Sequence, residues 1–242
     1  MEHDHAKRRY LWLLIALYVL VTTTSDLAEG KIITLLWLKA GAGLFVFTFS
    51  YFFVEIITEV YGYKCGRFSI WIGVLFCAVF AGLAQVIPLL PSTQDVASQN
   101  LDHLAQVTGR VFMSTIVTVI IAENLNAYIV AKLKLLFHGR FIGIRFIFST
   151  FISTFISMLI FSLIGFYGRL PDVGFILLTL TSWLYRFTTE LMLVPLSVFI
   201  SNCLKRKETT DIYDDDTNFS IFKLDNQYDK HNNRFSQDKN HE

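Results

Sequence analysis

Gly41-Ala42-Gly43-Leu44-Phe45-Val46-Phe47-Thr48-Phe49-Ser50-Tyr51-Phe52-Phe53-Val54-Glu55-Ile56-Ile57-Thr58-Glu59-Val60 is a run of twenty residues whose only charges are two glutamates in its second half. About 20 mostly apolar residues, wound as a helix, span the hydrocarbon core of a bilayer. A surface helix of a soluble protein carries a polar face, and this run has none wide enough. Five comparable runs lie around it, at Tyr10–Ser25, Phe68–Leu90, Val111–Leu133, Ile144–Tyr167 and Ile176–Cys203. The predicted fold is therefore an all-α integral membrane protein of six transmembrane helices. The first run is short, and the last is long enough to tilt. Lys7, Arg8 and Arg9 before the first run resemble the start of a signal peptide, but Thr22-Thr23-Thr24-Ser25-Asp26 offers no small-residue cleavage site. The first run is expected to stay as a span.

Composition agrees. Of 242 residues 53% are hydrophobic, 15% aromatic (23 are Phe) and 17% charged, against about 25% charged in soluble domains. The mean hydropathy is +0.48. A soluble globular enzyme is excluded on these grounds. Cys65, Cys77 and Cys203 are too far apart for a CxxC site. The six histidines fall in termini or loops, and His3-Asp4-His5 is a weak metal pattern. Neither a Walker A nor a GxGxxG motif occurs, so no nucleotide cofactor is expected, and no nucleophile–base set suggests catalysis.

Basic residues set the expected orientation. Lys7, Arg8, Arg9, Lys64, Arg67, Lys132, Lys134, Arg140, Arg145, Lys205, Arg206 and Lys207 fall on one side; Lys31, Lys39, Arg110 and Arg169 fall on the other. Twelve against four places both termini in the cytoplasm. Residues 1–207 carry 17 Lys and Arg against 11 Asp and Glu, whereas residues 208–242 carry 4 against 9. The first 207 residues read as the transmembrane domain. Residues 208–242, polar and acidic, read as a disordered cytoplasmic tail that transport does not need.

Ionisable side chains inside spans are costly and mark candidate sites. Glu55 and Glu59 share one helical face; Glu123 and Asn126 are i,i+3 neighbours; Arg186 and Glu190 are i,i+4. Arg186 and Glu190 read equally as a structural pair. Glu59 is expected at the membrane boundary as solvated charge. Glu55 and Glu123 lie deeper, with no cation one turn away, and read as cavity-lining. Asp26 and Glu29 close the first span at its outer end, and Gln85 reads as an interhelical hydrogen bond. Ser149, Ser153 and Ser157, at i, i+4 and i+8, read first as a close helix approach. A carboxylate-lined cavity within six helices points to movement of a solute.

The second span also carries a motif. Phe49-Ser50-Tyr51-Phe52-Phe53-Val54-Glu55-Ile56-Ile57-Thr58-Glu59-Val60-Tyr61-Gly62-Tyr63 resembles the F-P-I-S-Y-x-x-x-D-x-x-T-E-V-Y-G-Y signature of the queuosine precursor transporter (VUT) family. Ser25–Lys31 resembles its S-N-x-x-A-x-K. Glu123 through Lys134 resembles G-E-x-x-N-[SA]-x-x-x-A-K-x-K, and Arg145 with Ser149-Thr150 resembles R-x-x-x-S-T. Arg186, Glu190 and Pro195 keep the spacing of K-x-x-x-E-x-x-x-x-P. The chain departs from the pattern with Asp26 for Asn, Glu55 for Asp, Arg186 for Lys, and Thr154 and Ser157 for a Gln and an Asp.

The resemblance, over about residues 10–205, implies import of 7-deazaguanine nucleobases across the bacterial inner membrane. The cargo would be the nitrile or aminomethyl precursor of queuosine, or queuine, taken up for tRNA queuosine salvage. It implies a fold similar to the S-components of energy-coupling-factor transporters. Their depth in the membrane makes Glu55, Glu123, Asn126, Arg186 and Glu190 the expected substrate-binding residues around one cavity. The expected partners are a small-molecule nucleobase and the lipid bilayer, with no nucleic acid. The alternatives are an S-component-like subunit docking an energising module, and a non-transporting membrane scaffold acting through its tail.

Overall fold

The computed structural model describes residues 8–29, 31–35, 38–91, 95–166, 168 and 172–235. The expected end of the fifth span at Tyr167, the loop residue Arg169, Lys7 and the His3/His5 pair lie outside the described residues. Helix α1 spans Leu11–Ala28, and a two-stranded antiparallel hairpin follows, β1 (Ile32–Leu35) on β2 (Leu38–Gly41), with Ile32 opposite Gly41. Then come α2 (Ala42–Tyr61), α3 (Tyr63–Val86), α4 (Val96–Thr118), α5 (Asn124–Leu136), α6 (Ile142–Phe166) and α7 (Asp172–Glu208). A single π-helical turn, Val119–Glu123, joins α4 to α5 into one path across the bundle.

Among the described residues six helical stretches are long and apolar enough to cross a membrane, and they overlap all six expected runs. The protein is a multi-pass membrane protein. Helix α2 is the most buried of the six and packs against α1, α3, α5 and α7. That explains why polar residues survive on it: they face protein rather than lipid. Helix α7, at 37 residues, is ~55 Å long at 1.5 Å per residue, so it overruns a ~30 Å hydrocarbon core. Two features go beyond the sequence reading: the hairpin, and the first turns of α4, where the Asp95 side chain accepts from the Ser98 amide at 2.8 Å and caps the helix.

The basic residues gather at one end of the bundle, and there the tail departs from expectation. Residues 209–235 are not a solvated tail; they fold across the basic end. The Tyr63 amide donates to Asp214 at 3.0 Å, and the Lys64 amide donates to the Tyr228 hydroxyl at 2.8 Å. Arg67, fully buried, donates to the carbonyls of Asn218 and Ser220 and to the Asp225 carboxylate. The Trp71 indole donates to the Ile221 carbonyl. The physical reason is complementarity. Asp225 meets Lys64 and Arg67, Asp211 meets Lys134 and Lys205, and Ile212, Tyr213 and Tyr228 are buried as anchors. Tyr228 packs over Gly62, whose φ of 84° and ψ of 169° belong to a region open to glycine alone.

Glu59 also departs from expectation. It is fully buried rather than solvated. Arg145 grips both of its oxygens, at 2.6 and 2.9 Å, and Lys205 approaches one at 2.6 Å. Lys134 lies 3.9 Å away and pairs at 2.6 Å with Asp211 from the C-terminal segment, which also pairs with Lys205 at 2.9 Å. Two carboxylates and three cations thus form one knot, with Lys134 donating its remaining hydrogens to the carbonyls of Glu59 and Ile212. Isolated charges would not survive this burial; the network satisfies them.

Candidate functional site

A cavity opens at the end of the bundle opposite the basic residues. The end of α1, the start of α2, the end of α4, α6 and the start of α7 converge on about 610 Å³ of space free of atoms, open mouth included. Its walls are mostly apolar, with Leu44, Phe47, Met158, Phe161 and Leu178 among them. Asp26, Glu29 and Arg186 are its ionisable residues.

Arg186 is held from three sides. Its Nε donates to Glu190 Oε1 at 2.9 Å, and its Nη1 donates to Ser157 Oγ at 2.8 Å. The guanidinium carbon sits 4.5 Å from the Phe47 ring centroid and 4.3 Å from that of Tyr51. A desolvated cation over an aromatic face is worth about 2 kcal/mol, so both rings stabilise the buried charge. Nη2 has no partner, and neither has the buried hydroxyl of Thr118 on the same cavity wall. Buried polar atoms are seldom left unpaired; here two of them line one cavity.

Asp26 accepts from the Thr115 hydroxyl at 2.6 Å and from the Cys77 thiol. Glu29, beside the N-terminus of α2, fits only because positions 41 and 43 are glycine: a Cβ at either would collide with its carboxyl oxygens. Burial, then the neighbouring Asp26 charge, pushes the Glu29 carboxyl up to about 7.

The structure brings the five expected site residues into one buried region but not onto one surface. Arg186 lines the cavity and Glu190 secures it. Glu123 sits on the π-turn and accepts hydrogen bonds from the Tyr18 and Ser50 hydroxyls. A π-turn re-aims side chains within a helix and is frequent at functional sites. Glu55 accepts from the Thr150 hydroxyl and, with Glu190, lines a separate narrow cleft between α2 and α7. Asn126 accepts from Ser153 at 3.2 Å. Ser153 and Ser157 therefore use their hydroxyls, although the close packing of α6 on its neighbours holds too. Gln85 donates to the Ala105 carbonyl between α3 and α4, as expected.

The sequence reading missed Asp26 and Glu29 as cavity acids, and Phe47 and Tyr51 as the seat of the arginine. The signal was present: two carboxylates at i and i+3 ending an apolar run. Among the described residues no group of three His, Cys, Asp or Glu side chains is placed to hold a metal ion.

Residues 41–200 match the family described as "Putative vitamin uptake transporter". The chain belongs to this family. The match runs from Gly41, at the end of β2, almost to the end of α7. It includes Glu59, Lys134 and Arg145 of the buried knot, and Arg186 of the cavity, whereas Lys205 and Asp211 lie beyond it. The "Probable queuosine precursor transporter" of Bacillus subtilis (strain 168) is 22% identical over 176 residues, covering 72% of this chain and 77% of that protein. No solved structure gives a significant match.

Proposed function

We propose that this protein imports queuosine precursors, 7-deazaguanine nucleobases, across the bacterial inner membrane for tRNA queuosine salvage. In this reading both termini and the basic end face the cytoplasm, and the cavity opens outward. The observation that carries it is the half-used Arg186: a buried guanidinium seated on two rings, with its Nη2 left for a ligand in a cavity whose walls are mostly apolar. A guanine-type edge offers N1–H and N2–H₂ donors beside acceptors. A carboxylate accepts two parallel donors well, and Asp26 lines the cavity to do so. Arg186 Nη2 then serves a ring acceptor, and Phe47 meets the ring face. Glu190 holds Arg186 in place. Glu55, Glu123 and Asn126 form the polar support beneath the cavity, through which a base would pass inward. Adenine would leave these groups unpaired and be rejected.

The relative's name and the family support the class of solute. The test is queuosine in the tRNA of cells that lack precursor synthesis, with this chain supplied on a plasmid and the precursor in the medium. Restored queuosine is the expected outcome. Unmodified tRNA despite normal membrane levels overturns the reading.

A further inference from the structure

A neutral base uses one carboxylate of this cavity, yet the cavity holds two. Arg186 does not balance the second, because Glu190 is already paired with it at 2.9 Å. Among the described residues no lysine or arginine makes an ion pair with Asp26 or Glu29; Asp26 accepts instead from a neutral hydroxyl and a thiol. The cavity therefore holds a surplus acid, one with no basic partner among the described residues, beside two unpartnered buried polar atoms, Arg186 Nη2 and Thr118 Oγ1. Those two atoms call for a ligand, and the surplus acid sets its charge. Glu29 is moreover given room by two glycines, Gly41 and Gly43, where any side chain would displace its carboxylate.

We infer that Glu29 is a cation subsite, and that the transporter selects nucleobases bearing a protonated primary amine over neutral ones of the same ring. The inference rests on the proposed import of 7-deazaguanines: the aminomethyl precursor is the cation and the nitrile precursor its neutral counterpart. Asp26 takes the donor edge common to both, and Glu29 takes the ammonium in a charge-assisted hydrogen bond. The positive end of the α2 dipole holds the carboxylate when no ligand is present.

The experiment is uptake of each labelled base by cells carrying the full chain, wild type against Glu29→Gln and Asp26→Asn, at matched membrane levels. Wild type is expected to favour the amine roughly tenfold, the scale of one charge-assisted contact. Glu29→Gln should bring amine uptake down toward the level of the nitrile, with a much smaller change in nitrile uptake. Asp26→Asn should lower both alike. Equal wild-type uptake of the two bases, or equal loss of both in Glu29→Gln, overturns the subsite and leaves the import reading standing. Uptake of neither base overturns both.

Discussion

At the residue scale the site is governed by how Arg186 is satisfied. Its partner Ser157 occupies the place where the family resemblance puts an aspartate, and Arg186 stands where it puts a lysine. The two departures touch each other, Nη1 to Oγ at 2.8 Å. A lysine cannot reproduce the planar fork that reaches Glu190 and Ser157 together while lying on two rings. Arg186→Lys alone should therefore lower uptake about tenfold or more, since 1.4 kcal/mol is a factor of ten. Adding Ser157→Asp should recover part of the loss, and uptake by the single and double variants at equal expression measures this coupling. Additive losses would show that the two positions do not act together. Glu29 gives a second outcome. Its carboxyl, pushed up to about 7 with Asp26 as the neighbouring acid, is largely neutral at external pH 6 and largely charged at pH 8. An alkyl ammonium keeps its proton across that range. The ratio of amine to nitrile uptake should thus rise between pH 6 and 8 in wild type and stay flat in Glu29→Gln.

At the scale of elements, the second span and its turn into α3 carry the most information. Gly62 combines a glycine-only backbone conformation with Tyr228 packed where a Cβ would be. Gly62→Ala should lower stability by at least ~1–3 kcal/mol from backbone strain alone, read as a fall in the thermal midpoint of the purified protein. Removing the carboxylate of the buried knot is worse: Glu59→Gln leaves Arg145, Lys134 and Lys205 facing one another with Asp211 alone. Breaking such a network costs ~3–5 kcal/mol, so little folded protein should reach the membrane. These elements also show what sequence could and could not reveal. The six spans were legible because lipid demands long apolar runs, and no other pattern in the chain competes with that signal. Arg186, Glu190, Glu123, Asn126 and Glu55 were legible because charge and amide groups inside such runs are rare. The burial of Glu59 was not, because its cations come from α5, α6 and α7, 75 to 146 residues away. Glu29 was hidden for a similar reason: its environment is made by glycines across the hairpin, and no local periodicity encodes them.

At the scale of the whole molecule, charge asymmetry sets the orientation. Reporter fusions at Gly66, Gly139 and Glu208 should read cytoplasmic, and fusions at Thr93 and Leu170, both outside the described residues, should read periplasmic. A cytoplasmic signal at Thr93 would refute the orientation. The C-terminal segment is the other feature of this scale. Composition alone made it a dispensable tail, whereas the structure makes it a cover whose acids neutralise buried cations. Stopping the chain after Glu208 should leave Arg67 and Lys134 with stranded charge, and the truncated protein should unfold at a lower temperature than the full chain. An unchanged midpoint would show that water satisfies these groups as well as the segment does.

The same cover sets a timetable for synthesis. Arg67 enters the membrane early, yet its partners at Asn218, Ser220 and Asp225 are translated 151 to 158 residues later. At 5–20 residues per second that leaves the cation waiting roughly 8 to 30 seconds. All six helices are inserted before Arg67 meets these partners. A ribosome that stops short thus releases a chain whose polar seams are still open, exposed to the proteases that patrol the membrane. Residues 209–235 thus act as the signature on a finished bundle, the part that closes its polar seams.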